Sequence, residues 1–229
     1  MFQVQVEEVI LYKLPFLTIT IFAIGTVFRV YKYLSEGLKI FPLFPKAEKN
    51  KAGEYLKDLI FFRAIFASDR KLWAFAWLFH FSLFLILLGH FRMFSGLKFS
   101  ESLADLLGTI FGAIFTLTLL ALLFRRVIQL REISTVEDYF ALALLLAVAV
   151  SGMYLRFSDV SLHNYFSALV SGGGNVESPV LAVHALFAQI LIAYLPFGKL
   201  FHSLGAFHSN YLTLRWKNAR LRSSVREVR

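Results

Sequence analysis

Apolar positions in this chain come in long blocks, and five such blocks set its layout. Residues 14–28 carry no charge, and Lys13 and Arg29 at the ends can snorkel to extend the block. Residues 72–91 are interrupted only by His80 and His90. Blocks at 106–124 and 139–155 follow, and 178–198 contains His184. A helix needs ~20 such residues to cross a bilayer, and only helices or closed barrels satisfy every backbone group in lipid. No block alternates with a period of two, which excludes a barrel. The pattern predicts an all-α integral membrane protein, a five-transmembrane-helix bundle forming one domain over 1–229. Its helices are expected at about 9–33, 72–95, 104–124, 137–156 and 178–203, with a loop at 34–71 and a tail at 204–229.

Punctuation along the chain fits those blocks. Ser178 followed by Pro179 reads as an N-cap with proline in the first helical position. Ser134-Thr-Val-Glu137 resembles a capping box ahead of the fourth block. The first block reads as a retained span: Glu7 and Glu8 stand where a signal peptide has its basic region, and no small-x-small site follows. Residues 54–66 mix apolar and charged positions and are expected to form one interfacial helix along the inner membrane surface. The Ser171-Gly-Gly-Gly-Asn175 stretch follows no strand and is read as a turn.

Composition sharpens this picture. Residues of the AVILMFWYC set make up 58% of the chain, Phe alone contributes 26, and charged residues are 17%; mean hydropathy is +0.64. Disorder, a coiled coil and most soluble enzymes are excluded. With no Cys, a protein-bound iron–sulfur cluster, a thiolate metal site, a thiol nucleophile and covalently attached haem are excluded as well. Any bound metal must rest on His, carboxylate or backbone.

Charge supplies orientation. Of 24 Lys and Arg, 20 fall in 29–71, 125–138 and 199–229; the other segments hold only Lys13, Arg92, Lys98 and Arg156. The basic side is expected to be cytoplasmic, placing the N-terminus outside and the C-terminus inside. Topology and anionic lipid account for most of the net charge of +9, so no nucleic-acid partner is expected.

Candidate chemistry lies in the histidines, because ionisable groups inside a membrane are costly and usually functional. His80 and His90 lie in the second predicted helix, His184 in the fifth, and His202 at its inner end. The two helices run antiparallel, so His90 meets His184 at the outer depth and His80 meets His202 at the inner one. Two His on each of two facing helices can supply bis-imidazole axial ligands to two stacked b-type haems. The intervals conflict: ten residues rise ~15 Å and eighteen rise ~27 Å in ideal helix. Pro196 and Gly198 lie in the longer interval and can kink the helix or alter its last turns. His208 would widen the mismatch, and His163 falls in an outer loop.

These intervals, the five-helix layout and the phrases Trp77-Leu-Phe-His80 and Leu88-Gly-His90 resemble the respiratory nitrate reductase gamma subunit family. The stretches Lys39-Ile-Phe-Pro-Leu-Phe-Pro45 and Leu72-Trp-Ala-Phe-Ala-Trp-Leu-Phe-His80-Phe are more similar to the branch linked to dissimilatory sulfite reduction, the DsrM-like proteins. The resemblance implies a dihaem cytochrome b of a respiratory complex that exchanges electrons with menaquinol or menaquinone near the outer face. It also implies a cytoplasmic iron–sulfur partner of the heterodisulfide reductase-like type, other membrane subunits, and a setting in sulfur or sulfate metabolism. Gly89 either lets a haem or quinone approach the backbone or serves helix packing. Arg92 either pairs haem propionates, polarises the quinone or meets headgroups. No position matches the basic quinol-site residue of nitrate reductase. A nitrate reductase or hydrogenase-type cytochrome, a transporter and a bare membrane anchor remain competing readings. None of the uncharged blocks contains Asp or Glu, which speaks against the transporter.

Overall fold

A computed structural model describes residues 2–40, 52–95, 100–158, 165, 169 and 178–202; His163, His208, Lys98 and the 171–175 turn lie outside them. Every described element is helical. The first rod, α1 (2–40), runs from an α-helix at Phe2–Glu8 through a π-helical turn at Val9–Lys13 into Leu14–Ile40. Two short helices follow, α2 (Ala52–Phe61) and α3 (Arg63–Ser68). The remaining long helices are α4 (Arg70–Ser95), α5 (Glu101–Ile128), α6 (Val136–Arg156) and α7 (Pro179–Tyr194).

Among the described residues four stretches are long and apolar enough to cross a membrane: Gln5–Ser35, Arg70–Arg92, Ser102–Ile128 and Val136–Arg156. Helix α7 is apolar but shorter, 16 residues or ~24 Å of rise. The chain is a multi-pass membrane protein. Packing runs in series, α4 on α5, α5 on α6, α6 on α7, with α7 closing against α1. Side chains of α5 and α6 (Phe115, Leu119, Leu145 and Ala149) form a buried core, on which Phe79, Leu83 and Ile86 of α4 and Leu191 of α7 also pack. A second core joins Leu11 and Tyr12 to Leu155, Tyr165, Leu181 and Ala182.

The π turn in α1 is pinned by side chains from elsewhere. Gln189 of α7 is buried and donates from Nε2 to the Ile10 carbonyl at 2.9 Å, while the Thr18 hydroxyl donates to its Oε1 at 3.4 Å. The Tyr165 hydroxyl donates to the Leu11 carbonyl at 3.1 Å. Burial, and secondarily the neighbouring Tyr12, push this phenol up to about 12. An amide on an apolar helix is costly in lipid unless bonded, so Gln189 fastens α7 to α1.

Three local expectations are revised. The fifth helix does not run as α-helix over 178–203: it stops at Tyr194, and after a turn a 3₁₀ helix spans Lys199–Phe201. The proline ring at 196 cannot continue the hydrogen-bond ladder, and the freed groups are met locally. The amides of Phe197 and Gly198 both donate to the Tyr194 carbonyl, at 3.0 and 3.1 Å. Pro196 is buried, and the glycine at 25 on α1 is what admits it. A Cβ there would stand 2.9 Å from Pro196 Cβ and 2.8 Å from the Phe197 ring.

The capping box of α6 sits one residue later than expected. Thr135 is the cap and Asp138 its partner, the Thr135 amide donating to Asp138 Oδ2 at 2.8 Å. The 54–66 segment is two helices, broken at Phe62 with φ of 48°, a left-handed conformation that costs an L-residue ~1 kcal/mol. Ser178 does cap α7, accepting from the Leu181 amide at 3.2 Å.

Candidate functional site

Helix α4 carries His80 and His90 on a rod whose rise between them is ~15 Å. Opposite stand His184, on α7, and His202, just past the 3₁₀ turn. The structure brings all four together as two pairs. The rings of His90 and His184 are 6.4 Å apart between centroids and near-parallel, at 29°. Those of His80 and His202 are 5.9 Å apart and near-perpendicular, at 86°. The break after Tyr194 resolves the conflict of intervals: the chain leaves the helix axis, so eighteen residues on one side span the same depth as ten on the other. In sequence Leu83 and Ile86 fall between His80 and His90, and Leu191 between His184 and His202; all three are partly buried and pack against the core of α5 and α6.

Every histidine of the four has one ring nitrogen already engaged. His80 Nδ1 faces the Ala76 carbonyl at 2.7 Å and His90 Nδ1 the Ile86 carbonyl at 2.8 Å. His202 Nδ1 faces the Lys199 carbonyl at 3.3 Å. A carbonyl only accepts, so these three nitrogens carry the proton. His184 Nδ1 lies 3.0 Å from the Ser151 hydroxyl. That hydroxyl directs its own proton to the Ala147 or Val148 carbonyl, at 2.7 and 3.1 Å, and so it accepts from His184. All four rings therefore keep the Nε2 lone pair for a metal, the arrangement by which second-shell bonds orient metal-binding imidazoles.

The spacing suits one ion per pair. Two imidazoles ligating from opposite sides at ~2 Å stand with ring centres roughly 6 Å apart, as both pairs do. Among the described residues no group of three or more His, Asp or Glu gathers as a metal site. Two imidazole nitrogens per pair fit a haem, which these residues would hold.

Surroundings differ between the pairs. His184 lies against Gly152 of α6, where a Cβ would stand 2.9 Å from its Cε1. His80 is walled by the ring edges of Phe62, at 5.0 Å, and Phe79, at 4.9 Å. Gly89 has open space where a Cβ would be: nothing among the described residues lies within 4 Å. Arg92 is half-buried, one helical half-turn beyond His90. At the same end Arg156 lies over Gly108 and pairs with Asp105 at 3.8 Å.

Sequence reasoning missed Ser151, Gly152 and Gln189. Their trace was visible as small or polar residues inside otherwise apolar helices, where packing and hydrogen bonding between helices concentrate.

The chain is similar to known proteins over most of its length. The chain is 29% identical to the Hdr-like menaquinol oxidoreductase cytochrome b-like subunit of Archaeoglobus fulgidus, over 85% of this chain and 76% of that protein. It is 28% identical to the protein of the same name from Archaeoglobus profundus, over 87% of this chain and 77% of that one. The family model for the nitrate reductase gamma subunit matches residues 64–222, a stretch that includes all four paired histidines. The chain belongs to the nitrate reductase gamma subunit family.

Proposed function

We propose that this chain is the dihaem cytochrome b subunit of a menaquinol oxidoreductase, with His90 and His184 holding one haem and His80 and His202 the other. One observation carries the reading: four imidazoles in two facing pairs, each with Nδ1 tied down and the Nε2 lone pair left for a metal. Bound there, b-type haems supply one-electron transfer between a quinone site at one face and an acceptor at the other. The chain's own residues orient the ligands, through Ala76, Ile86, Ser151 and Lys199.

The basic distribution along the sequence orients the bundle with the His80–His202 pair on the cytoplasmic side of the inner membrane. Menaquinol oxidation belongs at the opposite, His90–His184 end, where two protons leave outward and two electrons pass inward. Gly89 and Arg92 lie on that end of α4, toward cofactor or quinone. A chain with no Cys hands electrons to iron–sulfur clusters on another subunit, of the heterodisulfide reductase-like type and in a setting of sulfur metabolism. The names of the Archaeoglobus relatives support a menaquinol reaction and such a partner.

The test is a pyridine haemochrome count with dithionite-reduced-minus-oxidised spectra on the purified membrane complex. Two b haems per chain are expected, and a wild-type protein without haem overturns the reading. A reporter fused at the C-terminus should report the cytoplasm; the opposite result reverses the inner and outer assignment.

A further inference from the structure

Taking the dihaem reading as its basis, we propose that Glu137 is a positioning residue for His202, holding the ligand-bearing segment at the helix break. Once Thr135 and Asp138 form the capping box, Glu137 is left with no capping duty, and its carboxylate turns toward the break. Its Oε1 accepts from the Lys199 amide at 2.9 Å and from the Tyr194 hydroxyl at 3.2 Å. Tyr194 is the last α-helical residue before the break and Lys199 the first 3₁₀ residue after it. One carboxylate oxygen therefore spans the interruption from both sides.

The link to the ligand is short. Lys199 offers its amide to Glu137 and its carbonyl to His202 Nδ1, at 3.3 Å. Fixing the Lys199 backbone fixes the acceptor that sets the His202 ring. Glycine at 198 allows this closure, because a Cβ there would collide with the Tyr194 ring. Asp138 acts beside it on the lysine side chain instead: Lys199 Nζ lies 3.0 Å from Asp138 Oδ1, and Arg126 lies 2.8 Å from Oδ2. Among the four histidines His202 alone follows directly on a 3₁₀ element, and the Lys199 backbone that orients it is held by the first turn of another helix.

The experiment compares variants of the intact membrane complex by haem count and low-temperature EPR. Glu137→Ala should lower occupancy of the His80–His202 haem or raise its high-spin fraction several-fold, while the His90–His184 haem stays low-spin and serves as internal control. Glu137→Gln keeps an acceptor oxygen and should restore the signal. Lys199→Pro is a second route: proline is tolerated at the first position of a helix, and Gly198 before it is already extended, with ψ of 175°. It deletes the amide donor and should reproduce Glu137→Ala, whereas Lys199→Ala, which keeps that donor, should perturb this haem far less. Wild-type haem signals in both Glu137→Ala and Lys199→Pro overturn the proposal, as does equal damage at both haems. A wild type with no haem overturns the dihaem reading itself.

Discussion

At one end of the bundle, His90 and His184 both stand on regular α-helix, and the site is formed by rigid rods with small residues cut into the facing helix. At the other end, His80 stands on a rod but its partner follows a turn and a single 3₁₀ element, held by carboxylates of α6. At the first end both ligands are part of long helices, with one side-chain bond, Ser151 to His184, reaching across helices; at the second, the segment ahead of His202 is tied down by carboxylate bonds across helices. Fit by packing and fit by hydrogen bonding give nearly the same separation, 6.4 and 5.9 Å, from unlike materials. The two ends should therefore fail to different insults.

The largest effect that separates them is removal of a ligand. His184→Ala should drop the haem count from two to one and leave the spectrum of the His80–His202 haem in place; loss of both would show that the ends are not independent. Next comes Gly152→Leu, which puts a side chain where His184 lies. It should empty or distort the His90–His184 centre and spare the other, read by haem count and EPR.

How far this contrast was legible in the sequence varies from residue to residue. The apolar blocks set the helices because lipid imposes a length and admits no unpaired backbone. The pairing of His90 with His184 and of His80 with His202 followed from antiparallel depth alone. What sequence left open was where α7 ends, because Phe197, Leu200 and Phe201 continue the apolar character past Tyr194. Pro196 and Gly198 marked the interval as irregular, but the direction the chain takes there depends on Gly25 and Glu137, distant in sequence. The capping box shifted by one for a similar reason: Ser134 and Thr135 are both competent caps, and Arg126 and Lys199 gathering around Asp138 favour the second. The left-handed turn at Phe62 had no glycine to announce it.

A smaller effect sharpens the comparison at the packed end. Ser151→Ala removes the acceptor of the His184 Nδ1 proton, and loss of such an outer-shell partner costs roughly 10-fold in ligand affinity. Haem should still bind, with weaker retention during detergent washing than in wild type, measured as haem per chain after each wash. The smallest expected effect is spectroscopic. Near-parallel rings at one pair and near-perpendicular rings at the other should give two resolvable low-spin EPR signals, the more anisotropic belonging to His80–His202. A single superimposed signal would indicate that both pairs relax to the same ring angle.

The interruption after Tyr194 also bears on how chain length can drift over time. Ten residues between His80 and His90 is a rigid quantity, since one insertion in α4 turns the downstream ligand by ~100° and lifts it ~1.5 Å. The eighteen between His184 and His202 is different in kind: it is a path length through a turn, and a residue gained or lost in 195–201 can be absorbed so long as the ends are tied. A search for distant kin should hold the first interval fixed and let the second float.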